Sequence, residues 1–205
     1  MIGMKDFFIK TTGIIKDDFI YVEKNVLSKQ LCKEIITMFE NSNNKIPGIT
    51  GMGINFKIRN TIGVEIINSD EWKDIYSDLS IKIHSYLDQY LKNIIDKTNN
   101  QEIFADNFIR EHCDILTIQI HRYRKKEGLY VWHNDFIYTE GIRYISFILY
   151  LNDVSVGGET EFVYEKVKPE TGKILFFPST WTYLHRGVMP ISDNKYIIVG
   201  WIGIK

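Results

Sequence analysis

The chain has 205 residues, with 25 Lys+Arg against 26 Asp+Glu for a formal charge of −1, and is 44% hydrophobic and 25% charged. That balance belongs to a globular chain rather than a disordered one, and the missing basic excess argues against a dedicated nucleic-acid binder. Cys32 and Cys113, its two cysteines, lie far apart in no metal-ligand spacing, which argues against a disulfide scaffold and a Cys-ligated zinc site. Met1 to Asp6 shows no basic leader followed by an apolar stretch. The longest apolar run, Ile145 to Leu151, falls short of the ~18 residues a membrane helix needs. A cytoplasmic protein is expected.

To about residue 112 the patterning is helical. Ser28 reads as the N-cap of a helix to about Phe39, because Leu31, Ile35, Met38 and Phe39 fall at i, i+4, i+7 and i+8. Asn41 to Gly53, rich in Asn and Gly, reads as a mobile loop. After Ser69-Asp70 a longer stripe follows, through Trp72, Ile75, Tyr76, Leu79, Ile83, Tyr86, Leu87, Tyr90, Leu91 and Ile94, with polar residues opposite. Thr98 to Gln101 is a short polar loop.

From Asp114 the period changes to that of strands. Ile115–Tyr123, Leu129–Asp135, Arg143–Leu151, Glu159–Tyr164, Gly172–Phe177, Tyr183–Val188 and Lys195–Ile204 are β-rich runs punctuated by glycines and Asp193-Asn194. A run of short strands after a helical half predicts a sandwich or barrel with helices packed outside.

The chemistry-bearing residues lie in this second half. In a strand, His133 and Asp135 share one face, and His185 lies on another predicted strand. Two His and one carboxylate form the facial triad of non-haem Fe(II) oxygenases, whereas zinc prefers a tetrahedral site. Lys195 heads a strand in which Ile197, Val199 and Trp201 share its face. Buried there, its ammonium needs an anion. Tyr123 and Tyr150 are placed to offer hydroxyl donors to the same anion. Taken singly, each of these also reads as chance or core: an H-x-D triplet, an exposed turn lysine, a tyrosine satisfied by backbone.

In order, Arg122-Tyr123, Gly128 to Asp135, Leu149 to Asp153, Gly157 to Phe162, Pro169 to Pro178, His185 to Pro190 and Lys195 to Trp201 resemble the iron- and 2-oxoglutarate-dependent oxygenases of the prolyl 4-hydroxylase type. The resemblance covers residues 115 to 204. It implies a double-stranded β-helix (a jelly roll, mainly β, cupin-like) in 113–205, with 1–112 as helical support on the major sheet and substrate loops, the whole being one oxygenase domain. It assigns His133, Asp135 and His185 to Fe(II) and Lys195 to the distal carboxylate of 2-oxoglutarate. Tyr123 and Tyr150 fall to the cosubstrate, and Gln119, Thr160 and Trp201 to the pocket lining. The implied activity is hydroxylation of a C–H bond of a prolyl peptide or related amino acid. O2 is consumed, ascorbate assists, and succinate and CO2 are released. Asn194 stands where many relatives have Gly before the lysine, and the substrate loop Asn41 to Asn60 matches no peptide-recognition motif. Two other readings stay open: a nucleic-acid demethylase using Arg122, Arg124, Lys125 and Lys126, and a non-catalytic jelly roll. His84 reads as surface, His121 as pocket mouth or scaffold, and Cys113 as a small buried filler.

Overall fold

Ser28 starts the first helix, α1 (Lys29–Asn41): its backbone is extended and its Oγ accepts from the Leu31 N–H at 3.1 Å, satisfying a donor that a helix N-terminus leaves unpaired. At the other end Lys45 donates to the carbonyls of Phe39, Glu40 and Ser42, placing a cation at the negative end of the helix dipole. The computed structural model describes residues 19–51, 53–98, 104–136 and 141–204; the expectations for Met1 to Asp6 and for the loop beyond Thr98 fall outside them. A 3-10 turn, Asp70–Trp72, leads into α2 (Lys73–Thr98). Trp72, Leu79, Ile83, Leu87, Tyr90 and Leu91 are buried along it, the stripe its periodicity predicts. A third helix, α3 (Phe104–His112), is not singled out by periodicity.

Two antiparallel sheets make the jelly roll that the resemblance implies. The larger has seven strands: β1 (Tyr21–Glu23), β10 (Ile174–Pro178), β7 (Ile142–Tyr150), β12 (Lys195–Ile204), β5 (Asp114–Tyr123), β4 (Ile62–Glu65) and β2 (Ile46–Pro47), in that order. The smaller runs β3 (Arg59–Asn60), β6 (Leu129–His133), β11 (His185–Gly187), β8 (Thr160–Phe162) and β9 (Lys166–Val167). The larger sheet is covered on both faces, which explains why successive residues of β7, Phe147 to Tyr150, are all apolar or aromatic. Alternate residues separate the two cores: Phe147 and Leu149 join the helices' Ile35, Phe39, Leu79 and Ile83, whereas Ile148 and Tyr150 join Phe162 and Phe177 between the sheets.

The N-terminal half is not purely helical. It supplies β1 to β4, and the segment read as one long loop holds β2 and β3. These strands are two to four residues long, too short for a period to register, and pairing to partners far along the chain makes them strands. Cys113 is half-buried rather than enclosed.

Gly172 ties α1 to the sheet. Its φ is +77°, a Cβ there would lie 2.2 Å from the Leu27 carbonyl oxygen, and its own carbonyl accepts from Val26 N–H at 2.8 Å. Gly172→Ala is expected to destabilise the fold by more than about 1 kcal/mol. The urea midpoint should fall with an unchanged slope, and an unaltered midpoint would contradict this.

Candidate active site

Register brings the histidines together. β11 pairs with β6 so that His185 stands opposite His133, and cross-strand partners share a face; their ring centroids are 4.2 Å apart. Tyr130 stacks on His133 at 3.5 Å, and Phe177 meets His185 edge-on at 4.7 Å, which fixes both rings. Asp135 arrives differently from the alternation expected. β6 ends at His133, and Asn134 Oδ1 accepts from the Phe136 N–H at 3.1 Å, an Asx turn that carries Asp135 off the strand. Across the barrel, Ser146 of β7 donates to Asp135 Oδ2 at 2.8 Å. A carboxylate only accepts, so the Ser146 oxygen in turn takes the hydrogen of Ser179, 2.8 Å away.

Ligand atoms of His133, Asp135 and His185 all lie within 4.8 Å of one another. Nδ1 of His133 faces the Val131 carbonyl at 2.7 Å and Nδ1 of His185 the Tyr183 carbonyl at 3.0 Å. Carbonyls only accept, so each Nδ1 carries the hydrogen and each Nε2 turns a lone pair inward. Both Nε2 atoms stand 3.7 Å from an Asp135 oxygen, beyond hydrogen-bond reach. Burial, then the charge of His185, pushes His133 down to about 4. Burial alone would raise Asp135, but His185, His133, the Ser146 hydroxyl and the Trp201 indole together hold it below its ordinary value. Two imidazole nitrogens and a carboxylate thus converge on one point. Such an imidazole–carboxylate set fits a divalent transition metal.

A cavity of about 570 Å³ opens over this point. Lys195, Ile197, Val199 and Trp201 of β12 line it together, facing Gln119, His121 and Tyr123 of β5. Lys195 is 1% exposed; its Nζ donates to the Gly158 carbonyl at 2.8 Å and lies 4.5 Å from the Tyr123 ring centroid. Burial drags its ammonium down to about 7 against the opposing pull of Glu159. Burial likewise pushes the Tyr123 phenol up to about 12, keeping it a donor. Thr160 lines the cavity, whereas Tyr150 stands behind the wall with its hydroxyl donating to Thr160 Oγ1 at 2.7 Å. Asn194 needs no glycine geometry: its side chain accepts from Lys125 N–H and its carbonyl from Asn152 Nδ2, both at 2.8 Å.

Sequence reading passes over Arg59, Tyr130 and Ser146. Ser146 does leave a signal, as a hydroxyl inside an apolar strand that must find a partner. The basic cluster does not act as one: Arg122 turns away from the cavity to a two-oxygen contact with Glu40 at 3.0 and 2.8 Å, and Arg124 faces Glu127 at 3.4 Å. His84 is a partly exposed helix residue bonded to the Ser80 carbonyl.

Residues 118–203 match the 2OG-Fe(II) oxygenase superfamily. That matched stretch holds His133, Asp135, His185 and Lys195, and the chain is a dioxygenase that works with Fe(II), 2-oxoglutarate and O2. No curated protein matches the chain in sequence. Among solved structures, the viral collagen prolyl hydroxylase of Paramecium Bursaria Chlorella virus-1, in complex with 2-oxoglutarate, is similar at TM-score 0.65 and 20% identity, covering 91% of this chain and 97% of its own. A Pseudomonas putida prolyl-4-hydroxylase follows at 0.64 and 16%, covering 91% and 93%. A Trichoplax adhaerens prolyl hydroxylase, bound to a hypoxia inducible factor peptide, stands at 0.65 and 18%, covering 91% and 84%. Each shows that this oxygenase shares their fold. No helix among its described residues is long and apolar enough to cross a membrane.

Proposed function

We propose that this oxygenase holds its iron through His133 Nε2, His185 Nε2 and an Asp135 oxygen, and hydroxylates a prolyl or related residue of a peptide. The observation that carries the metal assignment is the convergence of the two imidazole Nε2 atoms and the Asp135 carboxylate within 4.8 Å of one another. Ferrous iron there supplies the redox chemistry that couples O2 and 2-oxoglutarate to C–H hydroxylation, with loss of succinate and CO2. The protein residues do the rest. Lys195 offers the distal carboxylate of 2-oxoglutarate a buried ammonium, Tyr123 adds a hydroxyl donor, and Ile197, Val199 and Trp201 keep water off the reacting face.

The peptide reading rests on the rim. Ile46 of β2 and Ile49 just after it line the cavity and are left 52% and 53% exposed. Exposed apolar surface of this kind marks a docking site, and the solved relatives named above include one bound to a peptide. The residues form one oxygenase domain in this reading, with ascorbate as the reductant that keeps the metal ferrous. The test is mass spectrometry of proline-containing peptides, free amino acids and oligonucleotides after incubation with Fe(II), ascorbate and 2-oxoglutarate. A gain of one oxygen on a prolyl residue is expected; oxidation confined to oligonucleotides would contradict it.

Ser146 positions Asp135 by holding Oδ2 and leaving Oδ1 to the metal. Ser146→Ala is expected to weaken Fe(II) binding about 10- to 100-fold, the usual cost of losing such a supporting hydrogen bond. Ser146→Thr keeps the hydroxyl and should retain most of the affinity. Equal metal affinity in Ser146→Ala and the wild type would contradict the role.

A further inference from the structure

Arg59 is a cation that the mechanism above does not use. It stands on β3 at the edge of the smaller sheet, lines the cavity, and lies with its guanidinium 4.9 Å from the ring centroid of Tyr130. Tyr130 in turn stacks on His133, so the guanidinium is fixed relative to the metal ligands. Nη1 donates to the Ile49 carbonyl at 2.9 Å and Nη2 meets His121 Nε2 at 2.9 Å. Among the described residues no carboxylate forms an ion pair with it. Glu65, the acid lining this end of the cavity, instead accepts from Thr117 at 2.9 Å.

The partner chosen by His121 sharpens the point. Arginine only donates, so His121 Nε2 must accept and the ring hydrogen must sit on Nδ1. Gln119 stands with its Oε1 3.0 Å from the same nitrogen, and turning the amide over would face its NH2 end there instead. His121 is 4% exposed, and burial followed by the Arg59 charge holds its pKa well below the ordinary value. A neutral imidazole therefore stands where a carboxylate would normally neutralise the guanidinium. Arg59 Nε and His121 Nδ1 are both buried hydrogens with no partner, and a buried donor left unmade is costly. A half-buried guanidinium with no carboxylate partner among the described residues, beside a cavity, is a group open to a ligand.

2-Oxoglutarate does not use up this charge. It carries two carboxylates, and on the reading proposed above the iron takes one and Lys195 the other. Arg59 lies instead on the substrate side, tied to the Ile49 carbonyl beside the exposed apolar rim.

We propose that Arg59, seated on His121, is the subsite for a carboxylate on the primary substrate. This selects an acidic peptide, or a free amino acid, over its amide counterpart. The inference rests on the hydroxylase reading but not on proline as the target.

The test is binding to enzyme loaded with Mn(II), which does not turn over, and 2-oxoglutarate. One arm uses labelled alanine-based peptides with a single proline and one Glu at each flanking position in turn, paired with Gln versions. The other uses N-acetylproline against N-acetylprolinamide, and free proline. The acid member of at least one pair should bind about ten- to a hundred-fold tighter, as expected for a charge-assisted contact, and the margin should shrink as salt rises. Arg59→Gln should erase the preference while leaving 2-oxoglutarate affinity within about two-fold. Arg59→Lys, which keeps the charge but not the fork, should keep part of it. Preference in the peptide arm places the carboxylate on a side chain, and preference in the other places it on an amino acid. Acid preference without oxidation of any proline under turnover conditions upholds Arg59 and removes proline as the target. Equal affinity of acid and amide in every pair, absence of binding throughout, or a loss of 2-oxoglutarate affinity alone in Arg59→Gln overturns the proposal. The wild-type comparison decides it even if a variant fails to fold.

Discussion

Replacing His185 by alanine is expected to reduce Fe(II) binding to background and to end 2-oxoglutarate turnover. His185 offers one of the three converging ligand atoms found among the described residues, and a metal left with one imidazole and one carboxylate would lose the facial set that confines it. The ring is buried against Phe162 and Phe177, so alanine also opens a cavity that lowers stability. His185→Gln retains most of the packing and should still fail to hold iron at wild-type affinity. Circular dichroism and a metal assay separate the two effects. Wild-type iron content in a folded His185→Gln protein would contradict the ligand assignment.

Replacing Lys195 by methionine is expected to raise the 2-oxoglutarate requirement by about ten- to a hundred-fold, the worth of a charge-assisted hydrogen bond. The pH behaviour should change with it. With its pKa lowered to about 7 from an ordinary 10.5, folded protein without cosubstrate releases this proton at lower pH than the unfolded chain does. Below pH 7 both states are protonated, and the cost of burying the ammonium is fully present. Between pH 7 and 10.5 the unfolded chain binds more protons, so stability rises with pH across that window. A bound dianion favours the charged lysine, so 2-oxoglutarate affinity should weaken as pH climbs above 7. Both slopes should vanish in Lys195→Met; titration of 2-oxoglutarate from pH 6 to 9 checks this. A pH-independent affinity in the wild type would remove Lys195 from cosubstrate binding.

What the sequence makes legible here follows from where polar residues interrupt apolar strands. His133, His185 and Lys195 stand in or beside apolar strands, and Lys195 shares strand parity with Ile197, Val199 and Trp201, all of which line the cavity. Such residues have few structural reasons to be where they are. Asp135 is legible as a partner of His133 but not in its placement, because the Asn134 turn, not strand alternation, aims it. Tyr150 is legible as a buried ring, yet its hydroxyl is spent on Thr160, a contact set by the pairing of distant segments. The N-terminal strands are illegible for a related reason. Arg59 and Asn60 carry no strand pattern, and only their pairing with Tyr130 and Leu129 makes them β. That same pairing brings Arg59 into the cavity, out of a stretch whose composition reads only as loop.

The most direct measurement is a crystal structure of the Fe(II)-loaded protein with anomalous data collected on both sides of the iron edge. A single iron peak within coordination distance of His133 Nε2, His185 Nε2 and an Asp135 oxygen is the predicted result. An iron bound elsewhere, or a ring of His185 turned away from a metal held by the other two, would contradict it.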